Sequence, residues 1–169
     1  MRHALSGRSR KHKVDPEHAA DPDRVRMAAI TLLGRRDFCS GELRQKLEAD
    51  GFDKEQVAAT VAELIEEKAL DDARYAENYV TYHADRGQGP VRIAAELRAL
   101  DVPDDIIQAA LDAEPDWRRR AREVRKRKFG SEDPETWTQK AKQGRFLQYR
   151  GFSSDHIRAA LGPDLDLDA

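Results

Sequence analysis

The sequence predicts an all-α protein of three tandem three-helix repeats forming an elongated, curved rod. Three observations carry this. Apolar positions recur every fifty residues: Leu47, Leu97 and Leu147; Phe52, Val102 and Phe152; Val57, Ile107 and Ile157; Val61, Leu111 and Leu161. No stretch alternates apolar and polar residues in a way that supports a strand. The composition, 39% apolar against 37% charged, is too polar for one thick core but suffices for small helical units that share interfaces. A stacked repeat suits an extended binding scaffold better than an enzyme with one deep pocket.

Residues 1–22 read as a disordered basic arm. They are polar, contain Pro16 and Pro22, and carry Arg2, Arg8, Arg10, Lys11 and Lys13 with no acid before residue 14. The first repeat, 23–68, opens with a helix marked by Ala29, Ile30 and Leu33. Ser40 suits the N-cap of a second helix with Leu43 and Leu47 on one face. Gly51 supplies the left-handed residue that ends it. Asp53 with Gln56 reads as a capping box for the third helix, whose stripe is Val57, Val61, Leu64 and Ile65.

The second repeat, 69–114, follows the same plan. Asp71 or Asp72 caps a helix carrying Tyr75, Ala76, Tyr79 and Val80. Gly87-Gln88-Gly89 breaks the chain, and Pro90 suits the first turn of the next helix. Asp101 stands where the glycine stood, tolerating the left-handed region better than most residues. Pro103 precedes a helix with Ile106, Ile107, Ala110 and Leu111.

The third repeat, 115–162, begins with a helix near Trp117 in which Arg or Lys fills eight of the eleven positions 118–128. Residues 130–135 form a loop, a second helix covers 135–150 and ends at Gly151, and Ser153 caps the last helix, with Ile157 and Leu161 inward. An acidic tail, 163–169, carries Asp164, Asp166 and Asp168.

The net charge of −2 hides this segregation. With Trp117, Ala121 and Val124 as the buried line, 100° per residue puts Arg119, Arg122 and Lys126 on the solvated side, flanked by Arg118 and Arg125. Arg120 and Arg127 fall on the far flank. Like charges at i and i+4 repel, so an anion nearby would relieve the helix. DNA phosphates or an acidic protein surface would both serve. The candidate binding residues are therefore Arg118, Arg119, Arg122, Arg125 and Lys126. The plainer reading is a solvated face balanced by Asp112, Glu114 and Asp116. Trp117 and Tyr149 read as core; Trp137 and Phe129 could be core or could stack on bases. The arm reads as a solubilising tail.

Nothing points to catalysis, a cofactor or a metal. His3, His12, His18, His83 and His156 lack ligand spacing, and Cys39 has no partner cysteine. Asp71 and Asp72 diverge on a helix and suit a cap. Arg86-Gly87-Gln88-Gly89-Pro90 lacks the Gly-Lys-Ser/Thr ending of a phosphate loop. No apolar run reaches membrane-spanning length, and the N-terminus lacks a signal peptide's apolar segment. These features give the expectation of a cytoplasmic protein that does not engage membranes.

The chain resembles the RecX family of bacterial recombination regulators. The resemblance rests on Ser40-Gly41-Glu42-Leu43 with Leu47 and Gly51-Phe52; on Leu70-Asp71-Asp72-Ala73-Arg74-Tyr75-Ala76 with Tyr79-Val80; on Gly89-Pro90, Arg92-Ile93 and Glu96-Leu97; and on Phe146-Leu147 with Arg150-Gly151-Phe152-Ser153 and Ile157. It covers residues 25–162. The sequence departs from the family at Leu100-Asp101, where Lys-Gly is usual, and at His83, where Arg is frequent. The resemblance implies a non-catalytic monomer that binds the RecA recombinase filament on single-stranded DNA and dampens its ATPase and strand exchange. The alternative from the residues alone is a stand-alone DNA-binding protein using helix-turn-helix-like units. Asp101, Asp104 and Asp105 oppose it, since they would repel phosphate where a recognition helix would start.

Overall fold

The computed structural model describes residues 13–114 and 116–163. The regular structure among these residues is helical, and they contain no strand. The chain divides into two compact units, Met1–Leu70 and Asp71–Ala169.

In the first unit, α1 (Pro22–Leu33), α2 (Ser40–Ala49) and α3 (Lys54–Glu66) surround Val25, Ala29, Leu43, Leu47, Val57 and Leu64, all buried. Asp21 caps α1, accepting from the Asp23 and Arg24 backbone N–H groups. Asp53 caps α3 likewise, accepting from Glu55 and Gln56. Gly51 takes φ 103° at the α2–α3 turn. The N-cap of α2 is Cys39, not Ser40, and its side chain makes no capping bond. Residues 14–22 of the segment expected as a disordered arm take defined structure instead. Val14 N–H donates to the Asp50 carbonyl (2.9 Å), Pro16–His18 form a 3-10 turn, and Asp53 N–H donates to the Ala19 carbonyl (2.8 Å). Polar composition alone does not reveal these backbone partners. Arg2, Arg8, Arg10 and Lys11 lie outside the described residues.

The second unit holds two three-helix sets. The first is α4 (Asp72–Asp85), α5 (Pro90–Ala99) and α6 (Asp104–Asp112). The second is α7 (Trp117–Phe129), α8 (Trp137–Tyr149) and α9 (Ser154–Leu161). Asp71 caps α4 through the Arg74 N–H, and Pro90 opens α5. Asp101 does take the left-handed conformation, φ 59°, where Gly151 has φ 92°. Thr136 with Gln139 and Ser153 with His156 form capping boxes that start α8 and α9. The fifty-residue register maps onto buried positions throughout, apart from the half-buried Phe52, which packs at the edge of its core.

The two sets of the second unit are joined by backbone. Gly89 N–H donates to the Arg150 carbonyl (2.8 Å) and Val91 N–H to the Gly151 carbonyl (3.0 Å). The Arg150 guanidinium donates back to the Gly87 carbonyl (2.9 Å) and the Arg86 carbonyl. Trp117 Nε1 donates to the Leu111 carbonyl at 3.0 Å, tying the start of α7 to the end of α6. This seam fixes where α7 stands.

Candidate binding surface on the basic helix

Asp116 caps α7, its carboxylate accepting from the Arg119 N–H at 2.8 Å. Ala121 and Val124 are buried against Leu147, Phe152, Ile157 and Leu161, with Trp117 half-buried at the same core. The inner line is therefore the expected one, and Arg119, Arg122 and Lys126 emerge exposed on the other side.

The basic residues then separate by partner. Arg118 reaches across to α9 and pairs with Asp155 at 2.7 Å. That hydrogen bond raises the Arg118 pKa and holds the Asp155 carboxyl below its ordinary value. Arg119 pairs with Glu123 one turn on, at 3.2 Å. Arg122 donates Nε to the Ala159 carbonyl at 3.1 Å. Arg120 turns inward. Its Nη2 donates to Glu114 Oε2 (2.8 Å) and Nη1 to Asp85 Oδ1 (2.9 Å), while Nε sits 2.7 Å from Glu114 Oε1, close enough for charge pairing but off a hydrogen-bond line.

Arg125 corrects the sequence reading. Expected as an exposed flank of the stripe, it is only 2% exposed. Its guanidinium donates to the Glu132 carbonyl (3.1 Å), Asp133 Oδ1 (3.1 Å) and, at longer range, Gln143 Oε1 (3.4 Å). It organises the loop before α8 and offers nothing to a partner. On an ideal wheel it lies one residue from Val124, and the loop folding over it converts that flank into interior. Tyr149 is the opposite case: expected in the core, it is 77% exposed, because Phe146 and Leu147 take the inward positions of the last turn. Trp137 is 64% exposed, and Phe129 packs edge-on against Phe146 with centroids 5.3 Å apart.

Two cations absent from the sequence reading join this face. Lys140 of α8 and Arg158 of α9 line the same cleft as Arg122 and Lys126. Asp164, Asp166 and Asp168 of the acidic tail lie outside the described residues.

Elsewhere, a polar cluster lies between α4 and α5. Tyr79 donates to Glu96 Oε2 (2.9 Å) and Arg92 Nε to Glu96 Oε1 (2.9 Å). Burial works to raise the Glu96 pKa, but the Arg92 and Tyr79 hydrogen bonds outweigh it and hold the group below the carboxylate range. Burial also pushes Tyr79 up. Among the described residues no three His, Cys, Asp or Glu side chains gather as a metal site, the Cys39 side chain is buried, and no helix is long and apolar enough to cross a membrane.

Comparison with known proteins agrees with this architecture. Models of the first, second and third three-helix domains of RecX match residues 26–64, 71–111 and 116–161. A regulatory protein RecX of Halorhodospira halophila is 46% identical over 145 residues, 85% of this chain and 90% of that protein. One of Stenotrophomonas maltophilia is 41% identical over 139 residues, 82% and 85% of the two chains. The crystal structure of RecX from Lactobacillus salivarius superposes with a TM-score of 0.72 over 83% of this chain and 94% of that one, at 21% identity, which speaks for the fold. With three domains matched in order and 46% identity to a named relative over 145 aligned residues, the chain belongs to the RecX family of regulatory proteins.

Proposed function

We propose that this chain is a non-catalytic regulator that binds the RecA recombinase filament on single-stranded DNA and lowers its ATPase and strand-exchange activities. The observation that carries the reading is the exposed cationic face of α7, set on a scaffold whose relatives are named regulatory proteins. That naming points away from catalysis. Turnover in a filament depends on movement between neighbouring subunits. A ligand bridging subunits favours one geometry and opposes the movement. It also occupies space that an incoming duplex needs. Neither effect requires a reacting group.

The test is the single-stranded-DNA-dependent ATPase rate of the cognate RecA, titrated with the purified chain. The rate falls to a plateau, and the chain alone hydrolyses no nucleotide. An unchanged rate at saturating protein rejects the reading. Binding to bare duplex with an indifferent RecA would favour the stand-alone DNA-binding alternative, which the acidic first turn of α6, Asp104 and Asp105, opposes.

A further inference from the structure

A cleft of about 470 Å³ opens between the second half of α7, the loop before α8 and the C-terminal end of α9. Its walls carry Arg122 and Lys126 from α7, Lys140 from α8 and Arg158 from α9. Among the described residues the one acid lining it, Asp133, is engaged by the buried Arg125 guanidinium at 3.1 Å. No carboxylate of the described residues stands within ion-pair distance of the other four cations. Arg122 is tied to the cleft wall through the Ala159 carbonyl, so its guanidinium is already placed.

We infer that this cleft binds backbone phosphates of single-stranded nucleic acid, so that the chain grips the polynucleotide directly as well as its protein partner. The source of that nucleic acid, the filament, rests on the reading proposed above; the phosphate chemistry does not. The plainer explanation is that cations gather at the negative end of α9. A helix C-terminus carries only about half an elementary charge, against four full positive charges here, and Lys126 and Lys140 belong to other helices. Among the described residues the dipole therefore leaves most of the charge uncompensated. A single strand presents one charge per nucleotide on a thin, flexible backbone that can enter a recess between helix ends. An acidic partner helix is about 10–12 Å across with its side chains and meets only the rim. Three elements converging on one concavity make a site where a lone basic helix makes only a face.

The probe is a labelled ten-residue oligothymidylate, titrated with the full chain by fluorescence anisotropy from low to moderate salt. The parent binds, with log K falling linearly against log salt. Each cation removed from a single-strand contact lowers that slope by about 0.7. The double variant Lys140→Glu, Arg158→Glu therefore lowers it by about 1.4 and weakens binding by roughly tenfold or more at low salt. Lys54→Glu with Arg74→Glu makes the same charge change at exposed residues that do not line the cleft and costs less than about twofold. Circular dichroism checks folding; should the Glu pair unfold the chain, Lys140→Gln with Arg158→Gln gives the same slope change with less repulsion. No binding by the parent, or an equal loss in the distant pair, overturns the proposal. If the parent lowers the RecA ATPase yet ignores the oligonucleotide, the cleft proposal fails and the regulator reading stands. If the oligonucleotide binds through the cleft and the ATPase is unaffected, the cleft proposal stands and the regulator reading fails.

Discussion

Gly89 and Gly151 meet backbone to backbone: a Cβ on Gly89 would lie 2.3 Å from the Gly151 carbonyl carbon, and one on Gly151 would lie 2.3 Å from the Arg92 Cβ. This contact lets the Gly89 and Val91 N–H groups reach the Arg150 and Gly151 carbonyls. It is the backbone part of the seam between the two helix sets of the second unit, beside the Arg150 and Trp117 side-chain bonds.

The two glycines should therefore be far more sensitive than the equivalent one in the first repeat. Gly89→Ala pushes a methyl group into backbone that cannot give way locally, and Gly151→Ala adds a left-handed φ of 92° to a similar clash. Each should cost about 3 kcal/mol or more from overpacking and strain together. Gly51→Ala meets nothing closer than 3.6 Å and carries only the left-handed penalty, about 1–2 kcal/mol. Urea unfolding of the three variants checks the order; a Gly51 variant as damaged as the other two contradicts the seam's importance.

Arg120 and Arg125 are structural cations within a surface that otherwise reads as functional. Arg120→Ala strands Glu114, whose side chain is 7% exposed, and should cost about 3 kcal/mol as a broken, largely buried pair. Removing Glu114 as well should recover part of that loss, since no unpaired charge then remains. Arg125→Ala leaves the loop carbonyls of Ser131 and Glu132 without their donor and should cost about 2–3 kcal/mol. Denaturant unfolding measures each. A variant at either site that binds poorly reports a damaged scaffold, so neither belongs in a test of binding.

The fold is legible in the sequence because its signals are local and repeat. A left-handed turn residue and an inward leucine recur at one spacing, and Asp101 at φ 59° takes the turn conformation its place in the register demands. The exposed stripe of Arg119, Arg122 and Lys126 is legible for the same reason, since helical geometry alone fixes which residues oppose Ala121 and Val124. Arg125 defeats that geometry because its burial depends on a loop that closes over it from beyond the helix. Lys140 and Arg158 escape it because no sequence spacing links them to α7; packing alone brings α8 and α9 to that cleft. Tyr149 shows the limit of aromatic content as a guide to burial, because neighbouring Phe146 and Leu147 already fill the core.

Stability should fall in mild acid through two histidines. Burial lowers the pKa of His83, which stacks on Tyr79 with ring centroids 4.1 Å apart, and of His156, whose Nδ1 accepts the Ser153 N–H at 3.3 Å. For a depressed pKa the unfolded chain binds the proton first. The contribution is therefore fully present above the unfolded histidine value, about 6.5, and is lost as pH falls through the folded value. His156→Gln keeps a capping-box acceptor that does not titrate. Unfolding free energies at pH 7.5 and pH 5.5 should differ less in His156→Gln than in the parent. An equal or larger drop in the variant would show that His156 is not a source of the acid sensitivity.

The exposed stripe is where binding and stability can be separated. Arg119, Arg122 and Lys126 all face solvent, and only Arg122 contributes a bond to another helix, through the Ala159 carbonyl. Changing all three to Glu should leave helicity unchanged and cost about 0.5 kcal/mol per site, with a few tenths more where the new carboxylate at position 119 would face Glu123 one turn away. The same triple change should weaken binding to the RecA–DNA filament strongly and flatten its salt dependence, because three cations no longer displace counterions. Substituting Arg8, Arg10 and Lys11 in the N-terminal segment should do much less. Filament binding measured across a salt series, beside thermal melting of the same preparations, gives both quantities. A triple variant that melts like the parent and binds the filament equally well at every salt concentration would make this face of α7 a solvated surface and nothing more.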